Sequence, residues 1–219
     1  MSFSDLLARL ALQAASPAAL GVTLTSGLLL IGRDWRLSIA ALAGQYLLVV
    51  VLFAQVIPPQ VSGVKLLTGL LCAMILVLSA RQAQAGQRRQ ARGAAPTQAS
   101  DLLAVRGSIL PTGLPFRLVA ALVVGLAAWG LAGQPGGALP DVSAEVTVAV
   151  FALGGMSLLV IALSEAPLQI GLGLLTFLTG FELFYHAVEP SLSVIALLAM
   201  AHFGIAVVTG YLTIVEAGK

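Results

Sequence analysis

The chain is a succession of apolar runs, each close to 20 residues long, separated by short polar breaks. A hydrocarbon core about 30 Å thick needs roughly 20 apolar residues to be crossed by a helix. Lipid offers no partner for backbone N–H and C=O groups, so only helices and closed barrels span it. The runs are rich in Leu and Ala and do not alternate as barrel strands do. The expected fold is an all-α, multi-pass integral membrane bundle in the lipid bilayer. Spans are expected at 15–32, 36–57, 61–80, 116–133, 143–164, 167–188 and 191–215, seven in all. Composition agrees, since 59% of the 219 residues are hydrophobic and only 9% charged, too little polar surface to cover a soluble globule.

Charge placement orients the spans. The one long polar stretch, residues 81–115, carries Arg81, Arg88, Arg89, Arg92 and Arg106, with Arg117 just beyond it. Such a run can suggest nucleic-acid binding, but the positive-inside rule accounts for the same residues, and no nucleic-acid partner is expected. With that linker cytoplasmic, "GRDWR" with Arg33 and Arg36 also falls inside. "PPQVSG" falls outside without charge, Asp141 and Glu145 fall outside, and Lys219 ends inside. The expectation is a cell inner (plasma) membrane protein with its N-terminus outside and its C-terminus cytoplasmic. "MSFSDLLARLALQ", with Asp5 and Arg9, reads as an amphipathic lead-in rather than a cleaved signal. Cys72 is the single cysteine, so no intrachain disulfide, metal-ligand spacing or redox cofactor site is expected.

The chain also matches itself. At an offset of 131 residues, Leu37, Ile39, Leu47, Leu52, Phe53, Pro59, Ser62, Leu66 and Leu67 meet Leu168, Ile170, Leu178, Leu183, Phe184, Pro190, Ser193, Leu197 and Leu198. The Pro59/Pro190 match at a tight turn is the most informative, because leucines coincide easily between apolar helices. The expected organisation is two parallel three-helix units, residues 1–80 and 143–219. They are joined by the basic linker 81–115 and an extra helix at 116–133. In this alignment Glu182 falls opposite Val51 and His202 opposite Leu71, while the first unit carries Gln45, Gln55 and Lys65.

Glu182 lies among leucines and phenylalanines in the sixth span. A carboxylate placed there usually faces the bundle interior and serves proton or ion movement, although a protonated glutamate can also simply hydrogen-bond a neighbouring helix. Thr179, Tyr185 and His186 stand at helical spacings from it. His202, near the middle of the seventh span, reads either as a packed histidine or as a proton carrier. The tight turn "VEPS" brings the sixth and seventh spans together, with Glu182 and His202 at similar depths. His186 and Glu189 are expected near the outer surface, in solvent. Lys65, about a turn inside the third span, has a stem long enough to snorkel outward. Gly154, Gly155 and "GLAAWGLAG" suit close helix packing.

"GFELFYHA", a turn and "LLAMAHFGIAVVTGYL" resemble the last two helices of the K subunit of respiratory complex I and of the related C subunit of multisubunit sodium/proton antiporters. In that family a membrane-embedded glutamate follows a glycine and a hydrophobic residue, as Glu182 follows Gly180 and Phe181. A second glutamate commonly occupies the next helix, where this chain has His202, a departure that keeps a titratable group. The chain's length, its duplication and "WRLSIAALAGQYLLVVVLFA" resemble component E of hydrogenase-4-type complexes, in which a lysine can occur near the place of Lys65. The resemblance implies a subunit without redox centre or cofactor. It would assemble with other membrane subunits, antiporter-like ones among them, and contribute to moving protons. Proton-transfer candidates are thus Glu182, His202, Lys65 and His186, with Thr179, Tyr185 and Gln45 as supporting polar groups. A structural or assembly subunit of a respiratory or photosynthetic complex, and an independent secondary transporter, are the competing expectations.

Overall fold

Each expected span is a helix. The computed structural model describes residues 3–32, 34–57, 59–93, 113–134, 136, 139, 142–189 and 191–218. Its helices are α1 (Phe3–Ile31), α2 (Trp35–Val56), α3 (Pro59–Gly93), α4 (Leu114–Ala132), α5 (Ala144–Ala162), α6 (Pro167–Val188) and α7 (Leu192–Ala217). All seven are long and apolar enough to cross a membrane, and there is no strand among the described residues. Arg33, Arg106, Asp141, Pro190 and Lys219, on which parts of the orientation and repeat expectations rest, lie outside the described residues.

Local chemistry explains the boundaries. Pro115 and Pro167 stand in the first turns of α4 and α6, where a missing N–H costs no helical hydrogen bond. Ser143 caps α5 by accepting from the Val146 N–H at 3.4 Å, with Glu145 in the first turn facing the positive end of the helix dipole. Two boundaries differ from expectation. The amphipathic lead-in is continuous with the first span, since α1 runs unbroken from Phe3 through Pro17 to Ile31. The third helix does not stop at residue 80 but continues to Gly93. Its 35 residues, at 1.5 Å each, extend about 52 Å and outrun the hydrocarbon core. Alanine and glutamine propagate the helix there without requiring burial, so the start of the basic linker is helical, with Arg81 and Arg88 exposed.

The helices pack in a simple pattern. α1 lies on α2 and α5, α2 on α3 and α6, α3 on α7, α5 on α6, and α6 on α7. α4 rests outside, against α5 and α1, with only 11% of its span buried against 56% for α6. Close approach depends on glycine, at Gly69 and Gly171 among others. A Cβ on Gly69 of α3 would overlap the Tyr46 ring of α2, and one on Gly171 of α6 would overlap the Thr209 side chain of α7. At the end of the bundle away from the 57–59 turn, Arg117 of α4 donates to the carbonyls of Leu30 at 3.1 Å and Leu163 at 2.6 Å. A cation thus sits on the C-terminal ends of α1 and α5 together, satisfying carbonyls that helices leave unpaired.

Candidate functional site

Lys65, Glu182 and His202 come from three different helices and meet. Lys65 on α3 is six residues past Pro59, and Glu182 on α6 is six residues before Val188, so each lies about 9 Å from its helix end. His202 on α7 is ten residues past Leu192, about 15 Å in. All three side chains are buried, at 4%, 1% and 0% exposure respectively. Lys65 therefore does not snorkel outward. Its stem turns into the bundle because Glu182 offers an opposite charge there and the Tyr46 ring lies 5.9 Å from the ammonium, within cation–π range.

The Lys65 Nζ donates to Glu182 Oε2. It also lies 3.0 Å from His202 Nε2 and 3.4 Å from Nδ1. His202 Nδ1 is 2.8 Å from the Leu198 carbonyl, an acceptor, so that nitrogen carries the proton in this contact. Nε2 is then free to accept from the Lys65 ammonium. Thr179 sits 3.2 Å from Nε2 while its own hydroxyl donates to the Leu175 carbonyl at 2.8 Å, which leaves its oxygen available to receive an Nε2 proton. Glu182 Oε2 is 3.8 Å from His202 Nδ1. Three titratable side chains from three helices are thus within hydrogen-bond or ion-pair reach of one another. In a low-dielectric surrounding, such a cluster persists only if its charges remain paired.

The other candidates divide. Thr179 belongs to the cluster. His186 is not in solvent as expected but buried at 1% exposure, because its ring is closed over by Phe53 at 5.9 Å and by Tyr185 at 5.8 Å. Its Nδ1 donates to the Glu182 carbonyl at 2.7 Å, tying it to the backbone of the site rather than to the carboxylate. Its Nε2 is buried without a hydrogen-bond partner. Tyr185 is half-buried, its ring T-shaped to His186 and tilted against Phe181. Gln45 is fully buried with both amide atoms unpartnered, one helix away from the ion pair.

On α2 and α6 the structure also buries polar groups that sequence reasoning missed. Thr176 on α6, also buried, has an unpartnered hydroxyl, and Gln45 and Thr176 stand 131 residues apart. Seven residues earlier on each helix, Gln169 donates to Ser38 Oγ at 3.1 Å, across the same separation of 131, and to the Gly32 carbonyl at 3.0 Å. Ser38 and Gln169 thus join α2 to α6, and buried Gln45 and Tyr46 on α2, and Thr176, Thr179 and Glu182 on α6, follow further along the same two helices. The signal was available in the heptad spacing of 38 to 45 and of 169 to 176. It was hidden because serine, threonine and glutamine are unremarkable in a membrane helix taken singly. Comparison of the chain with models of protein families, with curated proteins and with solved structures finds no significant match. The functional reading rests on the residues and their geometry.

Proposed function

We propose that the chain is a membrane subunit of a complex I-like or hydrogenase-4-like energy-converting assembly, contributing to proton translocation driven by electron transfer in other subunits. The observation that carries this reading is the convergence of Lys65, Glu182 and His202 in one buried cluster. Burying three titratable groups together is expensive, and a bundle held only by packing has no need of it. The resemblance of the last two helices to the K-subunit family points the same way, with His202 standing where that family commonly has its second carboxylate. Buried Gln45 and Thr176, and the Ser38–Gln169 hydrogen bond, lie on α2 and α6 between the cluster and the arginine-rich end of the bundle.

The same reading takes the helices as two parallel three-helix units, α1–α3 and α5–α7, with α4 as the extra one. Its support is the packing of each helix on its counterpart, α1 on α5, α2 on α6 and α3 on α7. A layer stacked on its copy by translation produces this pairing, whereas a two-fold rotation would set α1 opposite α7. We place the N-terminus outside and the C-terminus in the cytoplasm of the inner membrane, on the strength of the arginines.

The test is proton pumping in vesicles, normalised to electron-transfer rate and to assembled complex. Glu182→Gln keeps the side chain's shape but cannot titrate and leaves Lys65 without its opposite charge, so pumping per assembled complex should be lost, at some cost in stability. Glu182→Asp should retain part of it, and His202→Ala should be milder than Glu182→Gln because Lys65 still reaches Glu182. Unchanged pumping in an assembled Glu182→Gln complex would refute proton transfer at this site. The ion pair would then serve only to join α3, α6 and α7, as in a structural or assembly subunit.

A further inference from the structure

Six buried side-chain nitrogen and oxygen atoms among the described residues have no hydrogen-bond partner within the protein. Five of them belong to two helices: both amide atoms of Gln45 and the Tyr46 hydroxyl on α2, and Gln169 Oε1 and the Thr176 hydroxyl on α6. The sixth, His186 Nε2, stands apart beyond Glu182, between the rings of Phe53 and Tyr185. A threonine hydroxyl inside a helix commonly bonds back to a carbonyl of the preceding turn. Thr23, Thr25, Thr68, Thr179 and Thr213 all do so. Thr176 does not, although it is only 1% exposed.

The five atoms follow one another in depth. α2 and α6 run in the same direction and touch near both ends: Gln169 donates to Ser38 at the arginine-rich end, and Phe53 lies against the His186 ring at the other. Gln45 and Thr176 each come seven residues, close to two helical turns, after Ser38 and Gln169. Each therefore keeps the face of its predecessor, roughly 10 Å deeper. Tyr46 follows, the centre of its ring 5.9 Å from the Lys65 ammonium and 6.3 Å from that of His202. At the arginine-rich end a pocket opens among Trp35, Gln84, Gln87, Leu168 and Glu216, where α2, α3, α6 and α7 meet, and Leu168 adjoins Gln169.

Polar groups left unpaired inside an apolar bundle are costly, and lipid supplies them with no partner. The ligand that fits must donate and accept, since the Gln45 amide offers both a donor and an acceptor and the two hydroxyls can play either part. A bare cation would satisfy the oxygens and leave Gln45 Nε2 unpaired. Water satisfies them all, making about three hydrogen bonds to otherwise unpaired buried groups. His186 Nε2, one nitrogen between two aromatic rings, offers water too few partners. We propose that Gln45, Tyr46, Gln169 and Thr176 hold internal water, and that protons pass through it between the arginine-rich end and the cluster of Lys65, Glu182 and His202. The water site stands on the unpaired atoms; its use as a route rests on the proton-transfer reading of the cluster.

The experiment is X-ray hydroxyl-radical footprinting of the full chain in native membranes, in heavy-oxygen water, where radicals formed from bound water label only the side chains they touch. Tyr46 and Phe53 are aromatic, on the same helix and each 1% exposed. The expected result is heavy-oxygen hydroxylation of Tyr46 and none of Phe53. An unlabelled Tyr46 would overturn the proposal, and Gln45 and Thr176 would then pair directly in a dry interior. Gln45→Leu/Thr176→Val should abolish the Tyr46 label and lower pumping in vesicles per assembled complex, whereas Gln45→Asn/Thr176→Ser should retain both. Loss of the label with pumping intact would overturn the route. A conservative pair as impaired as the apolar pair would trace the defect to packing and also count against it. Glu182→Gln should leave the label in place, so the water site and the proton-transfer reading can fail separately.

Discussion

Removing the ammonium of Lys65 isolates the energetics of the site. Lys65→Met keeps most of the stem's length and packing but leaves the Glu182 carboxylate buried at 1% exposure without its opposite charge. Breaking one side of a buried pair costs about 3–5 kcal/mol, far more than the pair contributes over a well-packed apolar replacement. For a chain of this length each kcal/mol moves the thermal midpoint by roughly 2–4 °C. The single variant should therefore melt about 6–20 °C below the wild type. Lys65→Met/Glu182→Leu removes both charges and should regain most of the lost stability. The assay is the temperature at which detergent-extracted protein loses its monodisperse size-exclusion peak, at fixed protein and detergent concentration. A Lys65→Met midpoint equal to the wild type, or a double-variant loss equal to the sum of the singles, would refute the pairing. Either result would mean that the ammonium leaves the bundle, as a snorkelling lysine does.

Arg117→Gln should lower the same midpoint, because it removes hydrogen bonds from a charged donor to the Leu30 and Leu163 carbonyls, each contributing about 1.5–3 kcal/mol. Arg117→Lys should recover only part, since an ammonium lacks the planar fork that reaches both helices. Gly171→Ala should cost about 1–3 kcal/mol by forcing α6 from Thr209 of α7. Gly204→Ala, with nothing within 4 Å of the added methyl, should be tolerated, and comparison of the two midpoints checks the α6–α7 packing. Single cysteines at Arg88 and Gln134 in a Cys72→Ser background should be labelled by an impermeant thiol reagent from opposite sides of the membrane. Labelling of both from one side would mean that α4 does not cross.

The spans were legible because the constraint that creates them is local: about 20 apolar residues must satisfy their own backbone. Glu182 and His202 were legible for a related reason, as ionisable groups in apolar surroundings stand out from their neighbours. Lys65 was not settled by the same logic. Its position near a helix end allows the stem to run outward or inward, and the direction depends on Glu182, 117 residues away. His186 was misplaced because depth along one helix says nothing of what covers it; Phe53 of α2 does. Arg117 read as one more topogenic arginine, although its side chain spans two helix ends that meet only in the folded bundle.

On the two-unit reading proposed above, the cluster is divided between the units. The first unit has Val51 and Leu71 where the second has Glu182 and His202, so neither ionisable position occurs twice. The third member, Lys65, comes from the first unit, and the corresponding position in the second is Ala196. On that reading each unit lacks what the other supplies, and the charge pair closes only where Lys65 of α3 reaches Glu182 of α6. A duplicated pair of complete sites would bury two ion pairs with two sets of desolvation costs. Dividing one site between the units leaves a single pair, and makes its integrity depend on the contact between them. Any motion that parts α3 from α7 would separate Lys65 from His202 and leave Glu182 with one partner fewer.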